Sequence, residues 1–97
     1  MLKTAEYIDK LREYKQRYAD EYGIERMGIF GSVARGEQME GSDIDIYYEG
    51  PSLGLKSLVG LPNDLEQFLG THVDVVRKHD NLRANFVKRI MQDIIYV

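Results

Sequence analysis

With 97 residues, 43% of them hydrophobic and 30% charged, the chain is expected to form one domain over residues 1–97, too apolar for disorder and too short for two cores. Its apolar runs are too short to cross a bilayer, Met1-Leu2-Lys3 does not resemble the start of a signal peptide, and the lack of cysteine excludes disulfides, thiolate zinc sites and cysteine nucleophiles. The net charge of −3 argues against a basic face for stable nucleic-acid binding and leaves a soluble, cytoplasmic domain without membrane contact as the expectation.

From Ala5 to Tyr22 the apolar and aromatic positions are Tyr7, Ile8, Leu11, Tyr14, Tyr18 and Tyr22. At ~100° per residue they cover an arc of roughly 120°, the width of one buried helix face. Thr4 is placed to cap this helix and Gly23 to end it. Ile24 to Phe30 reads as a strand, with Met27 and Ile29 to one side and Gly28 and Phe30 to the other. A short turn or single helical turn follows over Gly31 to Gly36.

Ser42 to Tyr48 alternates as a strand, with Asp43, Asp45 and Tyr47 on one face and Ile44, Ile46 and Tyr48 on the other. A loop at Glu49 to Ser52 leads to a helical region from about Leu53 to Leu69, which Gly60 and Pro62 interrupt. His72 to Arg77 reads as a third strand, Val73 and Val75 opposite Asp74 and Val76. Leu82, Phe86, Ile90 and Ile94 then recur every fourth residue on a last helix flanked by Arg83, Lys88 and Arg89. The order predicts an α/β fold with a mixed sheet of three strands, or slightly more, covered by helices on one face.

Asp43 and Asp45, one residue apart on a strand, put their carboxylates on the same side with Cα atoms roughly 7 Å apart. Since Ile44 and Ile46 seek the core, the acidic pair turns away from it. Two carboxylates so close repel, and a divalent cation with oxygen ligands, Mg²⁺ above all, relieves them. If the strands neighbour each other with their aliphatic faces inward, Asp74 joins the pair. Three carboxylates at one spot suit a two-metal phosphoryl-transfer site. Upstream, Gly31 lets the backbone approach a ligand closely. The N–H groups that open a short helix, with the Ser32 hydroxyl, offer a cradle for phosphate. Together these features define a site for a nucleoside triphosphate with Mg²⁺. Other readings fit less well: Tyr47 and Tyr48 stand where a calcium loop needs Asp or Asn and Gly, and no Gly-Lys-Ser/Thr follows Gly31 as a P-loop requires.

Gly31-Ser32, ten intervening residues and Asp43-x-Asp45 resemble the signature of the polymerase-β-like nucleotidyltransferase superfamily. The fuller string Gly31-Ser32-Val33-Ala34-Arg35-Gly36 with Ser42-Asp43-Ile44-Asp45 is similar to its smallest branch, the minimal nucleotidyltransferase (MNT) domain proteins. Leu69 to Val76 resembles that branch's third-carboxylate strand. Two departures, Tyr47-Tyr48 in place of an aliphatic pair and the break at Gly60 and Pro62, touch no proposed ligand. The resemblance implies transfer of a nucleoside monophosphate, AMP from ATP, to an acceptor hydroxyl with release of pyrophosphate. It implies that Gly31 and Ser32 hold the triphosphate, with Arg35 and Ser42 nearby. Asp43 and Asp45 would bind two Mg²⁺ ions, and Asp74 would bind the catalytic ion and help deprotonate the acceptor.

Members of the branch commonly act as antitoxins paired with HEPN-domain toxins, and some add AMP to a toxin tyrosine, so a HEPN partner is what the resemblance implies. A chain this short also invites self-association. Two other readings stay open: an antitoxin that neutralises by association alone, and a transferase acting on a small molecule of the aminoglycoside kind.

Overall fold

The computed structural model describes residues 2–97; Met1, the first residue of the start weighed above as a leader, lies outside them. Helix α1 spans Thr4–Tyr22 and buries Tyr7, Leu11, Tyr14 and Tyr22 of the stripe predicted from spacing, while Ile8 and Tyr18 are half-buried at its edge. It ends at Gly23, whose φ of 67° is the left-handed cap conformation. Thr4 is its first residue rather than its cap. The Thr4 hydroxyl donates instead to the Val33 carbonyl at 2.6 Å, while the Glu6 carboxylate accepts the Lys3 N–H at 3.0 Å.

Strand β1 (Arg26–Phe30) leads directly into the one-turn helix α2 (Gly31–Ala34). Strand β2 (Ile44–Glu49) returns antiparallel to β1. The predicted break in the next helix is a change of helix type: a π-helical turn over Lys56–Gly60 runs without interruption into α3 (Leu61–Leu69), which carries Pro62 in its first turn. This crossover delivers strand β3 (Val73–Arg77) parallel to β2. Helix α4 (Ala84–Asp93) precedes a two-residue strand β4 (Ile95–Tyr96), antiparallel to β1, so the mixed sheet has four strands in the order β3-β2-β1-β4.

Strand alternation sorts side chains between the two sides of this sheet. On one side Met27, Ile29, Ile44, Ile46 and Tyr48 pack with α1 and with Leu61, Leu65 and Leu69 of α3. Helices were expected on one face, and α1 and α3 lie there. Helix α4 lies across the other, because Phe86, Ile90 and Ile94 find Phe30, Tyr47, Val76 and Tyr96 there. Gly28 permits this crossing: a Cβ at that position would sit 2.7 Å from the Ile95 carbonyl oxygen and 2.8 Å from Ile94 Cγ1. Among the described residues no helix is long and apolar enough to cross a membrane.

Candidate active site

The parallel register of β2 and β3 sets Asp45 directly beside Asp74. Ile44, Ile46, Val73 and Val75 belong to the core under α1 and α3, so both Asp side chains emerge on the α4 side. Asp43 stands just ahead of β2, in phase with Asp45 and exposed. Burial, followed by the charges of Asp74 and Asp43, raises the Asp45 carboxyl above its ordinary value, and only Arg35 opposes them. The structure thus brings Asp43, Asp45 and Asp74 within electrostatic reach of one another.

Gly31 closes this corner. It has φ of 72°, and a Cβ there would collide with the Asp45 carboxylate. Backbone and carboxylate can approach this closely only because residue 31 lacks a side chain. Arg35, at the end of α2, is exposed; its Nε lies 3.1 Å from Glu37 and its Nη1 2.6 Å from Asp93 of α4. It faces the same cleft but is held by carboxylates of this chain. Ser32 is half-buried on α2, and its carbonyl accepts the Glu37 N–H at 2.9 Å. Ser42 serves its own loop: its hydroxyl accepts the Met39 N–H at 2.9 Å, and the Met39 carbonyl accepts the Ser42 N–H at 2.9 Å. Of the residues singled out from the sequence, Gly31, Arg35, Asp45 and Asp74 line the cleft, whereas Ser32, Ser42 and Asp43 do not.

The donor set suits a hard cation. Three carboxylates, with no thiolate among them, and the raised Asp45 mark a place where positive charge is wanted. Among the described residues no three acidic or imidazole groups are gathered closely enough to enclose an ion as they stand. An ion of the Mg²⁺ class bound among them would relieve the mutual repulsion of these carboxylates.

The cleft has a volume of about 810 Å³, within the range of sites for small molecules and cofactors. Its lining combines the polar Gly31, Asp45 and Asp74 with the apolar Phe30, Val76, Phe86 and Ile90. Arg89 and Gln92 of α4 complete it. Sequence reasoning missed this α4 wall. The four-residue recurrence of Phe86 and Ile90 signals a buried stripe, but the same signal serves a core and a cleft, and Arg89 reads as a solvated flank.

A family profile described as nucleotidyltransferase domain matches residues 9–97. The chain belongs to that family. This nucleotidyltransferase is 37% identical to the protein adenylyltransferase MntA of Thermococcus cleftensis, over all of this chain and 98% of that one. Among solved structures, one described provisionally as a minimal nucleotidyltransferase superposes with a TM-score of 0.78 and 29% identity, covering 97% of this chain and 95% of the other. The same fold recurs, at 18% identity and a TM-score of 0.57, in a structure described as a tri-AMPylated Shewanella oneidensis HEPN toxin in complex with an MNT antitoxin; 96% of this chain and 66% of that chain are covered.

Proposed function

We propose that this nucleotidyltransferase moves AMP from ATP to a hydroxyl of a partner protein, a tyrosine of a HEPN-type toxin, and acts as that toxin's antitoxin. The observation that carries the reading is the pairing of Asp45 with Asp74 across parallel strands, beside a glycine that admits no Cβ. The Thermococcus relative named a protein adenylyltransferase supports the reaction, and the complex of HEPN toxin with MNT antitoxin supports the partner.

Asp43 and Asp45 would hold two Mg²⁺ ions, and Asp74 the one nearer the acceptor. Those ions, when bound, neutralise phosphate charge and sharpen the nucleophile. Gly31 and the N–H groups of the first α2 turn, which have no partner within the helix, offer donors to the triphosphate. Ser32 and Ser42 would take part only from the margin of the cleft. Asp74, the more exposed of the two paired carboxylates, is placed to accept the acceptor's proton as the hydroxyl attacks the α-phosphorus. The bond from that phosphorus to the bridging oxygen breaks, and pyrophosphate leaves. Arg35 faces the same cleft, but its charge is already met by Asp93 and Glu37, so it would serve these phosphates only by leaving those partners.

The test is transfer of label from ATP, with Mg²⁺, to a cognate HEPN protein. Wild type should label it, and Asp43→Asn with Asp45→Asn should lower the rate by about a thousandfold, the loss of several kcal/mol of charge stabilisation. A second reading, neutralisation by association alone, is favoured by Leu55 and Leu58, which stand 76% and 74% exposed on the crossover. If the double variant still binds and still neutralises the toxin, association wins. If it binds without neutralising, transfer wins.

A further inference from the structure

Strand β3, which carries Asp74, is the outer strand of the sheet, and among the described residues only β2 pairs with it. The Ile44 N–H donates to the His72 carbonyl at 3.0 Å, and the Lys78 N–H to the Tyr48 carbonyl at 2.9 Å. Backbone groups of successive strand residues point to opposite edges, so residues 72, 74, 76 and 78 turn theirs toward β2, and Val73, Val75 and Arg77 turn theirs outward. Glu66 Oε2 accepts the Val73 N–H at 3.4 Å, whereas no backbone hydrogen bond among the described residues meets Val75 or Arg77 on that side. Folded proteins usually cover, bulge or break such an edge. Here the register with β2 runs unbroken from Val73 to Arg77, and the strand has no proline.

A hollow of about 420 Å³ lies along this edge. Val75 and Val76 point to opposite faces and both line it, which puts it at the margin of the sheet; Leu58 and Pro62 of the crossover stand on one side, Leu82 and Phe86 on the other. Charge also sets this margin apart. The stretch from Arg77 to Arg83 carries three Lys or Arg against one Asp, in a chain of net charge −3. Arg77 donates to the Gly50 and Lys78 carbonyls at 3.2 Å each, and among the described residues neither it, Lys78 nor Arg83 is paired with a carboxylate.

Resting on the proposed function, we infer that the acceptor arrives as an extended segment of the partner protein that adds to the sheet along the free edge of β3, apolar at its centre and acidic where it meets Arg77. An added strand lies about 4.8 Å from its neighbour, and residues directly opposite each other project to the same side of the sheet. A tyrosine opposite Asp74 therefore points onto the α4 side, with its hydroxyl along the carboxylate that takes its proton. The next two residues of the segment meet Val75 and Val76 at the hollow, and the third meets Arg77. The acceptor segment is thus expected to hold an acidic residue three positions from its tyrosine. Main-chain bonds to Val75 and Arg77 would fix the register, while the hollow and the positive charge select the sequence.

Two measurements on the intact chain, with the cognate HEPN protein as probe, test this. In amide hydrogen exchange, Val75 and Arg77 should exchange quickly in the free chain and slow by about tenfold or more once the HEPN protein is bound. In labelling from ATP, Val75→Pro removes one outward donor and spares the ladder to β2, since proline is tolerated where the N–H faces away from the neighbouring strand. It should lower kcat/KM for the HEPN protein by about tenfold, with affinity for Mg²⁺-ATP unchanged. Arg77→Gln serves if the proline variant does not fold, and should lower kcat/KM by about threefold. Exchange at Val75 and Arg77 unaltered by the bound partner, or kcat/KM unaltered in both variants, overturns the edge as the acceptor's seat; the proposed function then stands, because wild type still transfers label. Slow exchange in the free chain that quickens on dilution assigns the edge to a second copy and overturns the inference as well. Wild type that labels no protein overturns this inference and the proposed function together.

Discussion

The two faces of the sheet are built from the same strands and do opposite work. Beneath α1 and α3, Ile29, Ile44, Ile46, Leu11, Leu61 and Leu65 are fully enclosed, and their burial drives folding. On the α4 side, the alternate residues of those strands include Asp45 and Asp74, held side by side at a cost in mutual repulsion. A strand's period of two lets neighbouring residues answer to different demands: Ile44 and Ile46 are fully enclosed in the core, while Asp45 between them is held beside Asp74 with its carboxyl raised. On the proposed function, stability and chemistry are therefore expected to be separable by substitution along one strand.

The largest effect on stability is expected on the packed face. Ile46→Ala removes a fully buried side chain and should cost about 2–5 kcal/mol in denaturant unfolding, while the fraction that stays folded keeps its affinity for Mg²⁺-ATP. A cost below 1 kcal/mol would break the division between the faces. Gly31→Ala should injure both properties, because the new Cβ meets the Asp45 carboxylate on a backbone whose φ of 72° already disfavours a side chain. A loss of about 1–3 kcal/mol in chemical denaturation, with a greater loss of nucleotide affinity, is the expected result.

The smallest effect has the opposite sign. Asp45→Asn should stabilise the metal-free protein near neutral pH by up to about 1 kcal/mol after allowance for solvent screening, even as it removes transfer activity. The carboxyl of Asp45 is raised above 3.8 in the folded chain, so the native state holds that proton more tightly than the unfolded state does. Its contribution to stability is greatest below that value and declines as pH rises through the raised pKa. In Asp45→Asn this part of the pH dependence should vanish. Melting curves taken in chelator across the acid range would show it, and an unchanged pH dependence would mean that Asp45 is not strained by its neighbours.

Much of this division was legible in the sequence. The alternation of Ile44 and Ile46 with Asp43 and Asp45 sets which side chains face the core, and the phase of Val73 and Val75 places Asp74 with them. Spacing also revealed the α1 stripe. The unread features depend on long-range contacts. A stripe such as Phe86 and Ile90 shows that a helix has an apolar face but not which side of a sheet receives it. Strand β4 is two residues long and exists because Gly28 leaves room for it. Thr4 had a cap's chemistry, yet the Val33 carbonyl from α2 claimed its hydroxyl. Ser42 lay beside the acidic pair in sequence, and its hydroxyl went to the Met39 backbone instead.

The most direct test of the central claim is to add Mn²⁺, a paramagnetic stand-in for Mg²⁺, to the isotopically labelled protein and follow its amide signals. Broadening is expected first at Gly31, at Asp43 to Ile46 and at Val73 to Val75, with the α1 amides of Leu11 and Tyr14 sharp until much higher metal, and Asp45→Asn should abolish the effect. Broadening centred elsewhere, such as on the acidic residues of α1, or an identical pattern in Asp45→Asn, would contradict a metal-binding role for the α4 side of the sheet.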